Sequence, residues 1–211
     1  MPHNFREMNY MTIGIWVKSA LFAAALVSTP LVQAQSKKFE PTAQVAGQSL
    51  QINGHGTRYR AVIPVYEIAF YTTSKATTAE QLLTLPGPKR VSFVALRDIA
   101  TDQLGIAMVR GMRENADPSR HAVIAGFMDK LSRVFSTVTK VGPGQTFRLD
   151  YVPGKGTTFY VDNVQKGETV SDAGFIEAML RIWVGPRPVD SRLKDALLGA
   201  PPKSTDTLHQ G

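Results

Sequence analysis

The sequence predicts an α+β domain, with a largely antiparallel sheet and helices packed on one face. Three observations predict it. Segments with strand period and segments with helix period come in blocks rather than in strict alternation, the pattern of α+β domains and not of βαβ folds. Of the 211 residues, 43% are hydrophobic and 19% charged, which fills a core and excludes wholesale disorder. The length suits one domain, and no Gly- or Pro-rich linker separates two cores.

Taken in order, Gln35 to Gln44 reads as a polar, loose leader. Val45–Ile52, His55–Val62 and Val65–Tyr71 alternate as strands, with Asn53-Gly54 as a hairpin signal between the first two and Pro64 before the third. Thr77 to Leu85 is a short helix capped by Thr77 or Thr78, with Glu80 in its first turn and Pro86-Gly87-Pro88 at its end. Arg90–Leu96 alternates, with Val91, Phe93 and Ala95 on one face and Ser92, Val94 and Leu96 on the other, and reads as a strand covered on both sides. The period then turns helical: Leu104, Ala107, Met108 and Gly111 share one face of Thr101–Glu114. Asp117-Pro118 breaks that helix and opens the next, where Ile124, Phe127, Met128, Leu131 and Phe135 form a stripe. Thr146–Val152 and Thr157–Val161 are strands joined at Pro153–Gly156. Asn163–Gly167 reads as a turn and Glu168–Val170 as a short strand. Asp172 caps a helix to Trp183, Gly185-Pro186 stops it, and Asp190–Leu198 is a last short helix before a polar tail, Ala200 to Gly211.

The N-terminus reads as a secretory signal peptide. Arg6 and Lys18 precede the apolar run Ser19–Val27, Pro30 breaks it, and Val32-Gln33-Ala34 resembles a small-residue cleavage site, with cleavage expected after Ala34. The run is shorter than the ~20 residues that span a bilayer. No later stretch is long enough to cross one. The expected product is periplasmic or secreted.

Composition excludes several chemistries. The chain has no cysteine, so disulfide scaffolds, zinc ribbons, iron–sulfur clusters and thiol nucleophiles are out. Its four histidines, His3, His55, His121 and His209, show no metal-ligand spacing. There is no GxSxG elbow and no P-loop. Gly54-His55-Gly56 lacks the strand-to-helix setting of a dinucleotide fingerprint, and Asp98 and Asp102 fit helix entry better than paired catalytic carboxylates. No cofactor and no metal are expected. The net charge is +7, but Lys and Arg are scattered, without a basic stripe interleaved with aromatics, so nucleic acid is not an expected partner.

One set of segments is more specific. Gly54-His55-Gly56-Thr57-Arg58 followed by Val65-Tyr66-Glu67-Ile68-Ala69-Phe70-Tyr71 resembles the paired strands of the chalcone isomerase family, GxGxR and then a strand of the type VYxxGLY. Leu83–Arg90, Leu180–Gly185 and Leu193–Gly199 resemble further segments of its bacterial members, and the likeness runs from Val45 to Gly199. It implies an open-faced sandwich and two possible functions: closure of a chalcone to a flavanone in the enzymes, or fatty-acid binding in relatives without the active site. In the enzymes the GxGxR arginine stabilises a phenolate, a Thr and a Tyr polarise the ketone, and an Asn and a polar residue hold the distal ring.

Only part of that set is present. Arg58 matches the arginine. Tyr66 stands at the Thr position, and Leu104, Gly111 and Ile182 align with the other polar positions. An electrophile needs donors aimed at the developing oxyanion, and those three side chains offer none. The resemblance therefore implies a non-catalytic protein in which Arg58 and Tyr66 bind a small apolar carboxylate such as a fatty acid. An isomerase or lyase of unsaturated ketones and a ligand-free envelope scaffold are the alternatives. Taken by themselves, Arg58 also reads as an exposed strand residue like Arg60, and Tyr66 as core. Met108, Met112, Phe127, Met128 and Trp183 read as core or as cleft wall.

Overall fold

The computed structural model describes residues 39–200; the expected leader peptide to Ala34 and the tail from Pro201 lie outside them. In chain order the elements are β1 (Thr42–Val45), β2 (Gln48–Arg60), β3 (Ile63–Thr72), α1 (Ala79–Thr84), β4 (Lys89–Ala95), β5 (Ile99–Ala100), α2 (Thr101–Glu114) and α3 (His121–Phe135). Then follow β6 (Lys140–Val141), β7 (Thr146–Val152), β8 (Gly156–Val161), β9 (Val164–Val170), α4 (Ala173–Val184) and α5 (Ser191–Leu197). Seven strands form one antiparallel sheet in the order β1-β2-β3-β4-β7-β8-β9. The α2–α3 pair is inserted between neighbouring strands β4 and β7, and its two ends are tied by the two-residue β5–β6 ladder. The α+β class holds.

The strands alternate, so that successive side chains take opposite faces of the sheet. Ile68 and Phe70 of β3 join Val91, Phe93, Phe147, Leu149 and Phe159 under the helices. Ala69 and Tyr71 point the other way, into a smaller cluster with Val45 and Leu50. The helix-side core is aromatic: Phe127 meets Phe175 edge-on at 4.9 Å, and Phe159 stands 5.8 Å from Phe175. Each such ring, fully buried, contributes about 1.5–3 kcal/mol.

The starts of α1, α4 and α5 follow the capping rules. Thr78 and Gln81 make a reciprocal capping box at α1. Asp172 and Asp190 cap α4 and α5 with their carboxylates. Helix α2 spans Thr101–Glu114 as its periodicity predicts, and Asp117-Pro118 opens one 3₁₀ turn that leads into α3.

Three expectations are corrected. Asn53-Gly54 is not a hairpin: β2 runs unbroken through it, and the turns lie at Ala46-Gly47 and Ala61-Val62. Asn53 is instead an extra residue, a β-bulge between Ile52↔Tyr71 and Gly54↔Phe70. The leader expected over Gln35–Gln44 gives way to structure earlier: Phe39 packs on the smaller cluster, the Glu40 carbonyl accepts from the Tyr71 hydroxyl at 2.9 Å, and Thr42 begins β1. The turn expected over Asn163–Gly167 is confined to Asp162-Asn163, both at positive φ, so β9 is a full seven-residue strand.

The Asn53 bulge sets where later side chains point. Before it, Leu50 and Ile52 face the smaller cluster. After it the alternation is displaced by one residue, so Gly54 and Gly56 face α5 and Arg58 follows on the same side.

Candidate functional site

Arg58 and Tyr66 are direct partners across the β2–β3 ladder. A second bulge, at Val65, lies beside them, where the register passes from Arg58↔Tyr66 to Tyr59↔Pro64. Both side chains line one cleft of about 430 Å³ between the sheet and helices α2 and α4, a volume within the usual range of small-molecule sites. Phe93 and Phe147 of the sheet line it from one side. Leu104 and Met108 of α2, with Ile182 and Trp183 of α4, line it from the other. Arg60 and Arg110 add two further cations, and Gln103 and Glu114 complete the polar part of the lining.

Tyr66 is fixed on two sides. Its ring meets Phe93 edge-on at 5.4 Å, and its hydroxyl oxygen accepts the Trp183 indole N–H at 2.9 Å. The indole of a buried Trp needs such an acceptor. Accepting that bond leaves the phenol's own proton as a donor. Burial pushes the Tyr66 pKa up to about 12, against smaller opposing effects of the Trp183 hydrogen bond and the Arg58 charge. The phenol therefore stays protonated through the physiological range.

Arg58 has a protein partner that the sequence did not reveal. One guanidinium nitrogen lies 3.4 Å from Oδ2 of Asp190, and both side chains are partly exposed, at 24% and 17%. The other Asp190 oxygen accepts the backbone N–H groups of Arg192 and Leu193, the start of α5. The ion pair is thus single-pronged and long, and it occupies one donor of a fork that has five. In spacing alone, Asp190 looks like a helix cap and nothing more; its second oxygen is brought to Arg58, 132 residues earlier, only by the fold.

The other expected positions also converge. Leu104, Gly111 and Ile182 line the same cleft as Arg58 and Tyr66, and they present it with no side-chain donor. A Cβ on Gly111 would lie 3.1 Å from the Ile182 side chain, so this glycine lets α2 and α4 approach. Met108 and Trp183 belong to the cleft wall, whereas Met112 and Phe127 are wholly buried core. Met128 lies at other hollows, beside Ser132 and His121. Among the described residues no three His, Asp or Glu side chains gather to hold a metal, and no helix is long and apolar enough to cross a membrane.

A seven-stranded antiparallel sheet, helices stacked on one face and a cleft between the layers define an open-faced α+β sandwich. Residues 32–199 match the chalcone isomerase-like family, and the chain belongs to that family. Its fold is similar to that of the crystal structure of a fatty-acid binding protein from Arabidopsis thaliana, with a TM-score of 0.60 and 12% sequence identity over 80% of this chain and 95% of that one. At that identity the likeness is one of fold. No curated protein matches this chain significantly in sequence.

Proposed function

We propose that this protein is exported and binds a fatty acid, or another small apolar carboxylate, in the cleft between the sheet and helices α2 and α4. The observation that carries this reading is the pairing of Arg58 and Tyr66 at the polar part of an otherwise apolar cleft. A carboxylate needs donors and a compensating charge; Arg58 supplies both through the N–H groups that Asp190 leaves unused, and Tyr66 adds a neutral donor. An apolar tail would lie among Phe93, Phe147, Leu104 and Met108. The fold of the Arabidopsis fatty-acid binding protein supports the same reading. Ring closure of an unsaturated ketone is favoured less, because Leu104, Gly111 and Ile182 offer no donor where an oxyanion would form. Export rests on the order of charged, apolar and small residues before Gln35, and N-terminal sequencing of the processed product, expected to begin at Gln35, checks it.

Titration with a medium-chain fatty acid and with its methyl ester tests the cleft. A charge-assisted hydrogen bond contributes about 1.5–3 kcal/mol, so Arg58→Ala should weaken acid binding tenfold or more, since ~1.4 kcal/mol is a factor of ten. The ester should bind weakly to both proteins. Equal affinity for acid and ester, unchanged by Arg58→Ala, would show that the arginine serves Asp190 and α5 alone.

A further inference from the structure

We propose that the tip of the β2–β3 hairpin docks this protein on an anionic lipid surface, with the mouth of the cleft turned toward the lipid. This goes beyond ligand binding and does not depend on which ligand the cleft takes. The first observation is where exposed apolar side chains lie. Tyr59 and Ile63 are about half exposed, at 45% and 49%, and Val62 is 87% exposed; all three fall within five residues of one turn. Scattered exposed apolar residues need no explanation, but a contiguous set does.

The second observation is shape. Ladder pairing of β3 with β4 begins at Tyr66↔Ala95. The segment Tyr59–Pro64 is therefore paired only with itself and overhangs the neighbouring strand. Its two-residue turn holds Ala61 at φ +54 and leaves the Val62 side chain as the outermost apolar group. The third is position. Arg60 of the tip and Val65 at its base line the cleft together with Ile106 and Arg110 of α2, and Ile106 is itself 52% exposed. The tip and α2 thus border one opening.

Charge selects the occupant. No Asp or Glu occurs between Glu40 and Glu67, and Arg58, just before the tip, is paired with Asp190. Arg60 is exposed and makes no ion pair among the described residues. A few protruding apolar groups flanked by arginine and a tyrosine suit the boundary between headgroups and acyl chains, where tyrosine rings settle and each basic residue strengthens binding to an anionic surface about fivefold. Three apolar side chains, Tyr59, Val62 and Ile63, form a small patch compared with the roughly 1,200–2,000 Å² in total that a stable protein interface buries.

Co-sedimentation of the purified protein with vesicles tests this, the full chain being expressed and each variant compared in the same processed form as the wild type. Vesicles of phosphatidylglycerol and phosphatidylcholine should bind it, pure phosphatidylcholine should bind it weakly, and salt should release it. V62D/I63D should lose tenfold or more of that binding, and Arg60→Gln about fivefold. Circular dichroism and the denaturant midpoint establish that V62D/I63D is folded; if it is not, V62S/I63S serves in its place. Fatty-acid affinity measured without vesicles should be the same in V62D/I63D as in the wild type, so loss of docking and loss of the cleft are read separately. Vesicle binding that is absent in the wild type, or equal in the variant, overturns the proposal. So does a wild-type dimer in gel filtration that V62D/I63D dissolves, because the tip would then be a contact between two copies of this chain.

Discussion

The middle of strand β2 and its C-terminal end obey different rules. At Asn53–Gly56 the strand is clamped. Asn53 is 3% exposed; its amide donates to the carbonyls of Ala76 and Leu197, at 3.0 and 2.8 Å, and its oxygen accepts the Ala76 N–H at 2.7 Å. Gly54 lies against α5 so closely that a Cβ would come within 2.2 Å of the Ala196 carbonyl oxygen. At the Arg58–Arg60 end the same strand carries a part-exposed cation on one long ion pair and then overhangs into solvent. The difference teaches how the site is aimed. The clamped middle fixes the bulge, the bulge fixes which face Arg58 takes, and the open end keeps donors to spare.

That comparison breaks most visibly at Gly54. Gly54→Ala drives a methyl group into the backbone of Ala196 and Leu197, and neither atom belongs to a flexible side chain. Either α5 moves or the strand does, at a cost of about 2–4 kcal/mol. Arg58→Ala at the other end should cost roughly 0–1 kcal/mol, the value of a part-exposed ion pair. Denaturant titrations of both variants measure the contrast. Equal losses at the two positions would mean that β2 is uniformly constrained and that the Arg58 end is no freer than the clamp.

The same two segments show what the sequence could and could not disclose. The bounds of α2, the caps of α1, α4 and α5 and the antiparallel strand blocks are written in local patterns, because capping and periodicity act within a few residues. Arg58 and Tyr66 were legible only through a family resemblance, and the fold places them as direct neighbours. Asn53-Gly54 misled because turns and bulges favour the same residues. The reason for Gly54 lies at Ala196 and Leu197, some 140 positions later in the chain, which no local pattern records. Asp190 escaped for a related cause: one of its oxygens does a local task and the other a distant one. The floor residues Phe93 and Phe147 were plain as apolar strand residues, but no spacing distinguishes a core phenylalanine from one that lines a cleft.

Tyr66 gives the finest test, since it belongs to the open end but is held like the closed one. Below about pH 10 its phenol is protonated in both the folded and the unfolded chain, and stability there does not depend on its titration. Above the ordinary tyrosine value of 10.0 the unfolded chain loses this proton first, while the folded protein holds it to about 12. The stability contributed by the neutral phenol is therefore full below about pH 10 and drains away as pH rises toward 12, by at most about 2.7 kcal/mol for a two-unit shift. Tyr71, also raised by burial, adds to the loss, and Lys89, lowered by burial, opposes it. The difference between wild type and Tyr66→Phe cancels both. At neutral pH the variant leaves the Trp183 indole N–H without its acceptor and should be less stable by roughly 1–2 kcal/mol. That gap should close through the phenol window, because only the wild type has this proton to lose. Denaturant midpoints of the two proteins, followed from neutral pH upward, read the gap directly. Parallel curves through the window would mean that Tyr66 titrates like an exposed tyrosine and is not held as its hydrogen bond and burial require.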